Sequence, residues 1–300
     1  MIEHSHTNQE NQHIGNYRLL QLLTQSETSQ IYLCEHAQHA TPLALKKMYG
    51  RWFGDDLAKF FAHASMLSRL QHPNIVPLLD FGADGDIVYI VMQYSSNGTL
   101  RERHPKGTIV PPNTVVHYTN QIASALQYIH DHKLIHRDIK PHNMLIGTYG
   151  EILLSDFGSS VVSHSLNPLF PSQYDFEGTV LYAAPEQLRG TPRRSSDQYA
   201  LGVVLYEWLC GQWPFFGTFE ELTHQHLFVS PPPLRTKNPA IHPAIEQTVM
   251  KALTKDVRKR FSTVTEFAEA LQWSVEQSQP ASPPKEKVKR QFMSPKPFTE

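Results

Sequence analysis

No glycine occurs between Asn16 and Tyr49, and no glutamate between Glu35 and Glu102. Cysteine is nearly absent too. Cys34 and Cys210 are the only two, which excludes a disulfide framework and fits a reducing compartment. The formal net charge of −1 removes any electrostatic reason to expect a nucleic-acid partner. No apolar run reaches the length of a membrane span, and the opening MIEHSHTNQENQH lacks the basic and apolar regions of a secretory signal. These absences together lead to the expectation of a soluble cytoplasmic protein. Seventeen histidines are many but scattered, and no pair of them has the flanking pattern of a zinc site. His4, His6 and His13 lie in a polar leader.

What is present is enough for a sizeable core. The chain has 300 residues, of which 40% are apolar, sufficient for one large two-lobed unit or two ordinary domains. Residues 1–14 read as a disordered leader. YRLLQLL, IYLCEH and PLALKKM, starting at Tyr17, read as three antiparallel strands with polar turns between. Residues 55–70 read as a helix with Leu57, Phe60, Phe61, Ala64, Leu67 and Leu70 on one face. VPLLDFG and DIVYIVMQY supply two more strands. SNGTLRERH is a linker with a short helix. A long amphipathic helix then begins near Thr114, with Val115, Thr119, Ile122, Leu126 and Ile129 at its 3.6-residue period. YALGVVLYEWLC is apolar nearly all round and reads as a buried helix stopped by Gly211. Further helices run to about Ser274, before a Pro-rich basic tail that reads as disordered.

The densest polar cluster is LIHRDIKPHNMLI, residues 134–146. It crowds His136, Arg137, Asp138, Lys140 and Asn143 between apolar flanks. MLI, a turn over residues 147–150, and ILLS then read as a tight hairpin. Paired strands lie about 5 Å apart. Asn143 at the start of the hairpin and Asp156 after its end therefore emerge side by side, with Asp138 on the same loop. An amide and a carboxylate placed together suit Mg²⁺, a hard cation that takes oxygen ligands.

HRDIKPHN, the DFG at residues 156–158 and AAPE at residues 183–186 together resemble the catalytic loop, metal loop and activation-segment end of protein kinases. LALK at residues 43–46 resembles the third-strand lysine motif. DQYALG at residues 197–202 resembles the start of the buried central helix. DVRKR at residues 256–260 carries an arginine resembling the one that pairs with the APE glutamate, here Arg260 and Glu186. Lys140 is the serine/threonine form, and the nearest group is the bacterial kinases of eukaryotic (Hanks) type. The resemblance implies an α+β, two-lobed fold. A small antiparallel β lobe with one helix would span 15–94, a larger helical lobe 95–274, and the tail 275–300.

The resemblance also implies roles. Asp138 would orient the acceptor hydroxyl and take its proton, and Lys140 would neutralise the moving phosphoryl group. Asn143 and Asp156 would hold Mg²⁺, with Mn²⁺ as an alternative, and Lys46 would meet the phosphates of ATP. Leu23, Thr24, Ser26, Ser29, Ile31 and Ala44 would line the nucleotide, with Met92, Gln93 and Tyr94 as its adenine-facing hinge. Arg137 would serve a phosphate on the loop 159–183, where Ser159, Ser160, Ser163, Ser165, Ser172 and Thr179 are the hydroxyls; Thr179 would hydrogen-bond near Asp138. The partners implied are protein substrates bearing Ser or Thr, and a sensor or activator protein.

Two departures follow from the absences noted first. The family's three loop glycines fall on Thr24, Ser26 and Ser29, whose side chains crowd the approach of backbone N–H groups to phosphate. The helix glutamate expected to pair with Lys46 falls on His63, whose neutral imidazole would accept one hydrogen bond from that lysine, leaving Asp156 as its main partner. Asp55 and Asp56 lie about 11 Å away along the helix and would not substitute. An active Ser/Thr kinase, a pseudokinase acting as a nucleotide-binding scaffold, and a small-molecule phosphotransferase are the readings open at this point. Asp138-x-Lys140 and the APE segment argue against the last.

Overall fold

Alternation along the first strands decides how the small lobe forms. In Tyr17–Gln25 (β2), Tyr17 and Leu19 are buried while Arg18 and Leu20 are exposed, the period-two pattern of a strand with one covered face. The computed structural model describes residues 12–26, 29–49, 57–157, 161–162 and 180–278. His13–Ile14 (β1), β2, Ser29–His36 (β3), His39–Tyr49 (β4), Leu78–Asp84 (β5) and Ile87–Gln93 (β6) form one antiparallel sheet in the order β1-β2-β3-β4-β6-β5. One face buries Ile14, Tyr17, Leu19, Tyr32, Cys34, Leu45, Tyr89 and Val91. Cys34 is a packed strand residue, and burial pushes its thiol up to about 12, so it has no thiolate character at neutral pH. On the other face Met48, Val88 and Ile90 pack against Phe60 and Ala64 of Leu57–Leu67 (α1).

The small lobe departs from expectation at its edges. The expected leader reaches residue 14, yet His13–Ile14 pairs with Tyr17–Arg18 and Ile14 is 1% exposed. A single apolar residue close to a turn found a place in the core, and its strand followed. Helix α1 ends at Leu67, short of residue 70, and Leu57 at its start is exposed. Asp55 and Asp56 lie outside the described residues.

The larger lobe is helical. Leu100–Arg103 (α2) opens on a capping box in which Thr99 accepts from the Glu102 backbone and Glu102 reaches back. Pro112–Asp131 (α3) buries Val115, Thr119, Ile122, Leu126 and Ile129 as its period requires. Then come Leu134–Ile135 (β7), a short 3₁₀ turn over Pro141–Asn143, and the hairpin Met144–Ile146 (β8) with Ile152–Leu154 (β9). Val161–Val162 (β10) pairs with β7. Pro185–Leu188 (α4) precedes Arg194–Cys210 (α5), in which every residue from Ser196 to Cys210 is buried. Gly211 ends α5 at φ 71°, and a Cβ there would lie 2.9 Å from the Gly107 carbonyl oxygen, so glycine is required twice over. Phe219–Phe228 (α6), Leu234–Lys237 (α7), Pro243–Ala252 (α8) and Val264–Ser278 (α9) complete the described chain. Helix α9 runs past the expected boundary at 274, because Val275 is 4% exposed against the lobe. Among the described residues no helix is long and apolar enough to cross a membrane.

One ion pair closes this lobe. Arg260 donates to both carboxylate oxygens of Glu186, at 2.8 and 2.9 Å, and Ser196 donates a third bond at 2.7 Å. Both charged groups are buried. Removing one partner leaves the other as an uncompensated buried charge. Arg260→Ala is expected to lower unfolding free energy by about 3–5 kcal/mol in denaturant titration; a loss under about 1 kcal/mol would show that the pair contributes no more than a surface contact.

Candidate active site

The polar loop is hung from α5. The buried Asp197 carboxylate accepts the backbone N–H of His136 at 2.9 Å and of Arg137 at 2.8 Å, and the ring N–H of His130 at 2.7 Å. Burial alone would raise the Asp197 carboxyl, but His130, His136 and the Arg137 N–H hold it below its ordinary value. Arg137 adopts φ 71°, a left-handed backbone unusual for a side-chain-bearing residue and costing on the order of 1–3 kcal/mol. Asp197 on its N–H and Gln187 Nε2 on its carbonyl, at 2.8 Å, hold it there. The His136 ring lies 4.8 Å from that of Phe157 and bonds the Ser155 carbonyl at 3.0 Å. The two loops of the site are thereby fastened to each other.

Asp138 follows directly on that strained residue and is 7% exposed. Asn143 Nδ2 donates both to its carbonyl and to its Oδ2, each at 2.8 Å. Lys140 Nζ lies 2.8 Å from the same Oδ2. Both amide hydrogens of Asn143 are thus turned toward Asp138, which leaves Asn143 Oδ1 as the outward oxygen. Asp138, Lys140 and Asn143 are thus brought together on one loop.

The hairpin brings in the fourth group. Met144 pairs with Leu154, and Ser155 N donates to the Asn143 carbonyl at 2.9 Å, so Asp156 leaves the hairpin beside Asn143. It does so at φ 60°. Lys46 Nζ donates to Asp156 Oδ1 at 2.6 Å, across the boundary between the lobes. Burial would raise the Asp156 carboxyl, but the Lys46 charge and hydrogen bond, with Lys140 and His136, hold it at about 2.

The expected hydrogen bond from Lys46 to His63 is not formed. His63 Nε2 is buried with no hydrogen-bond partner, and burial lowers the ring below its ordinary value. A carboxylate outcompetes an imidazole for an ammonium because only the carboxylate adds charge to the bond. Lys46 and Ile90 are register partners on the face where α1 packs, so His63 shares that face's apolar surroundings with Ala64 and Phe60.

The residues assigned to the nucleotide fall on one face of the sheet. Thr24, Ile31, Lys46 and Ile90 form a cross-strand row, with Ala44 and Met92 paired two residues along. Directly opposed residues, and those two apart, point the same way. Leu23 is 39% exposed beside a register shift between Leu22 and Thr24. Gln93 ends β6, and Tyr94 follows between the lobes. Ser26 and Ser29 use their polar groups on each other: Ser29 N donates to Ser26 Oγ at 3.1 Å, Ser26 N to the Ser29 carbonyl at 2.8 Å, and the two hydroxyls meet at 3.1 Å. These hydroxyls close the β2–β3 turn. Gly158, Ser159, Ser160, Ser163, Ser165, Ser172 and Thr179 lie outside the described residues. Arg137 Nε is buried without a hydrogen-bond partner.

A divalent cation fits this donor set. Among the described residues no three His, Cys, Asp or Glu side chains converge as a closed metal site. Asp156 and the outward Asn143 Oδ1 instead offer two hard oxygens, the sparse protein share of a cation that takes its other ligands from phosphate and water. Sequence reading missed Asp197 as the anchor and Arg101, Tyr182 and Glu207 as a buried network. The signal was available, since a carboxylate inside an otherwise apolar helix requires partners.

His63 yields a pH-dependent prediction. Its folded value lies below 6.5, so the unfolded chain binds the extra proton first as pH falls. The stability of the neutral ring is present above about 6.5 and is lost below it. His63→Leu removes an unsatisfied buried nitrogen. It is expected to raise stability by about 1 kcal/mol or more and to reduce the slope of stability against pH between 7.5 and 5.5. Lower stability at both pH values with an unchanged slope would contradict this.

Comparison with known proteins agrees with the geometry. The family model described as protein kinase domain matches residues 17–274. Serine/threonine-protein kinase PrkC of Bacillus subtilis is 34% identical over 263 residues, covering 84% of this chain and 39% of that protein. The probable serine/threonine-protein kinase PknB of Lactococcus lactis is 32% identical, covering 84% and 40%. The DNA damage-responsive serine/threonine-protein kinase RqkA of Deinococcus radiodurans is 32% identical, covering 82% and 37%. The chain therefore spans about two fifths of the length of these relatives. It belongs to the protein kinase family, among the bacterial kinases of eukaryotic type, a family that works with ATP and a divalent metal.

Proposed function

We propose that this chain is an ATP-dependent protein kinase that transfers the γ-phosphoryl group to Ser and Thr hydroxyls of proteins, itself included. The observation that carries the reading is the convergence of Asp138, Lys140 and Asn143 on one hydrogen-bonded loop, with the Lys46–Asp156 pair facing it. Asp138 orients the acceptor hydroxyl and takes its proton as the new P–O bond forms and the bond to the departing ADP breaks. Lys140, already on Asp138, neutralises charge on the transferred group. Lys46 holds the nucleotide phosphates, and Asn143 Oδ1 with Asp156 would hold Mg²⁺, or Mn²⁺. When bound, the metal would supply neutralisation of the charge that develops in the transfer. Thr24, Ile31, Ala44 and Met92 offer the nucleotide a common surface, with Leu23 at its edge and Gln93 and Tyr94 as the hinge. Such positioning and charge stabilisation carry nearly all the catalysis of phosphoryl transfer.

The same reading places the protein in the cytoplasm, with a sensor or activator protein setting its activity. With Ser26 and Ser29 engaged in closing their turn, nucleotide affinity is weaker than a glycine loop would give. The protein with Mg²⁺ and γ-labelled ATP is expected to incorporate phosphate into itself or a generic basic protein. Asp138→Asn is expected to lower that rate by about 10²–10⁴-fold. Equal incorporation by the variant would overturn the assignment. Thermal stabilisation by Mg-ATP without any transfer would favour a nucleotide-binding scaffold.

A further inference from the structure

Beside the catalytic loop lies a second polar cluster that the transfer chemistry does not use. Glu207 sits near the end of α5 and is 4% exposed. Arg101 of α2 meets it with both terminal nitrogens, Nη1 to Oε1 at 2.7 Å and Nη2 to Oε2 at 2.8 Å. Tyr182, three residues before Pro185, donates its hydroxyl to Oε2 at 2.7 Å. That hydroxyl accepts from Arg101 at 2.8 Å and from Trp213 Nε1 at 3.0 Å. Burial beside Glu207 pushes the tyrosine up, so it stays a neutral donor. Both oxygens of the carboxylate are therefore bonded from inside the protein, and Arg101 neutralises the buried Glu207 charge.

What this network presents outward is basic and aromatic. Lys106 is exposed and stands 4.8 Å over the Trp213 ring. Phe216, 52% exposed, meets Trp213 edge-on at 6.2 Å. His142 lies two residues beyond Lys140 on the catalytic loop and is exposed. Partial burial lowers its ring, and the charges of Arg101, Lys140 and Lys106 lower it further against the pull of Glu207. Helix α2, which carries Arg101, packs against the Pro141–Asn143 turn, so the Arg101–Glu207–Tyr182–Trp213 network, with Lys106 over its indole, lies beside the loop that carries Asp138 and Lys140. Lys140 is matched by Asp138 and Arg101 by Glu207, and among the described residues Lys106 forms no ion pair, so its charge is the one left over in this cluster.

We propose that Lys106, with the Trp213–Phe216 shelf, forms a specificity subsite that selects acceptor segments carrying an acidic side chain near the phosphorylated hydroxyl. The inference rests on the kinase reading above and names its substrate class. A carboxylate on the peptide meets Lys106 and its own methylene stem lies on the indole; a lysine there meets the like charge of Lys106. Charge complementarity of this kind sets partner choice more than overall affinity.

The test uses two fluorescein-labelled peptides with one Ser in a neutral frame, carrying either Glu or Lys at the three positions on each side. Their dissociation constants are measured against the full chain with Mg²⁺ and a non-hydrolysable ATP analogue, and their kcat/KM with Mg-ATP. The Glu peptide is expected to bind about fivefold or more tightly and to be phosphorylated preferentially. Lys106→Glu is expected to cancel or reverse that ratio. Equal binding of the two peptides, absence of binding by both, or a ratio unmoved by Lys106→Glu would overturn the subsite. A Lys106-dependent preference in binding with no phosphate transfer would keep the subsite and remove the kinase reading. Equal phosphorylation of both peptides would do the reverse.

Discussion

The Asp197 carboxylate is fully buried, and three N–H groups end on it. Burying a carboxylate costs several kcal/mol, and charge-assisted hydrogen bonds contribute about 1.5–3 kcal/mol each, so the site is stable only with all its partners in place. Two of those partners are consecutive backbone amides of the loop that carries Asp138. Orienting both amides toward one carboxylate fixes the peptide planes around Arg137 and brings it to φ 71°. The direction in which Asp138 leaves the backbone is thus a consequence of a charge on the central helix, and α5 can bear that charge because its remaining turns are packed on every side.

From that anchor the rest of the site is assembled by short, local steps. Asn143 bonds back to Asp138 and turns its Oδ1 outward. The β8–β9 hairpin returns the chain so that Ser155 bonds Asn143 and Asp156 follows. Only Lys46 comes from the other lobe, and its 2.6 Å contact with Asp156 makes the lobe boundary electrostatic. In the proposed function Lys46 is thereby tied to the group that would also meet the metal, which would couple nucleotide and metal binding more closely than a separate helix carboxylate.

Much of this was legible in the order of residues. The helix faces of α3, the stop at Gly211 and the hairpin that joins Asn143 to Asp156 follow from periodicity and turn signals, and the Glu186–Arg260 pair is what the resemblance to protein kinases implies. The exceptions share a cause. Ile14 became a core residue because a distant face of the sheet had room for it. His63 failed to hold Lys46 because a carboxylate from another lobe was nearer in energy. Ser26 and Ser29 turned to each other because a tight turn offers its own acceptors first. The Arg101–Tyr182–Glu207 network joins residues far apart in the chain. In each case the deciding partner lay outside any window a local pattern can see, although Glu207 within an apolar helix was itself a sign that a partner had to exist.

The most direct measurement is amide hydrogen exchange at His136 and Arg137 in the native chain and in Asp197→Asn. An amide cannot accept at both of its heavy atoms, so the account predicts that exchange at one or both positions quickens by about tenfold or more while the amides of α3 keep their protection. Unchanged protection at both positions in a folded variant would mean that the catalytic loop holds its shape without the buried carboxylate, and the central claim would fail.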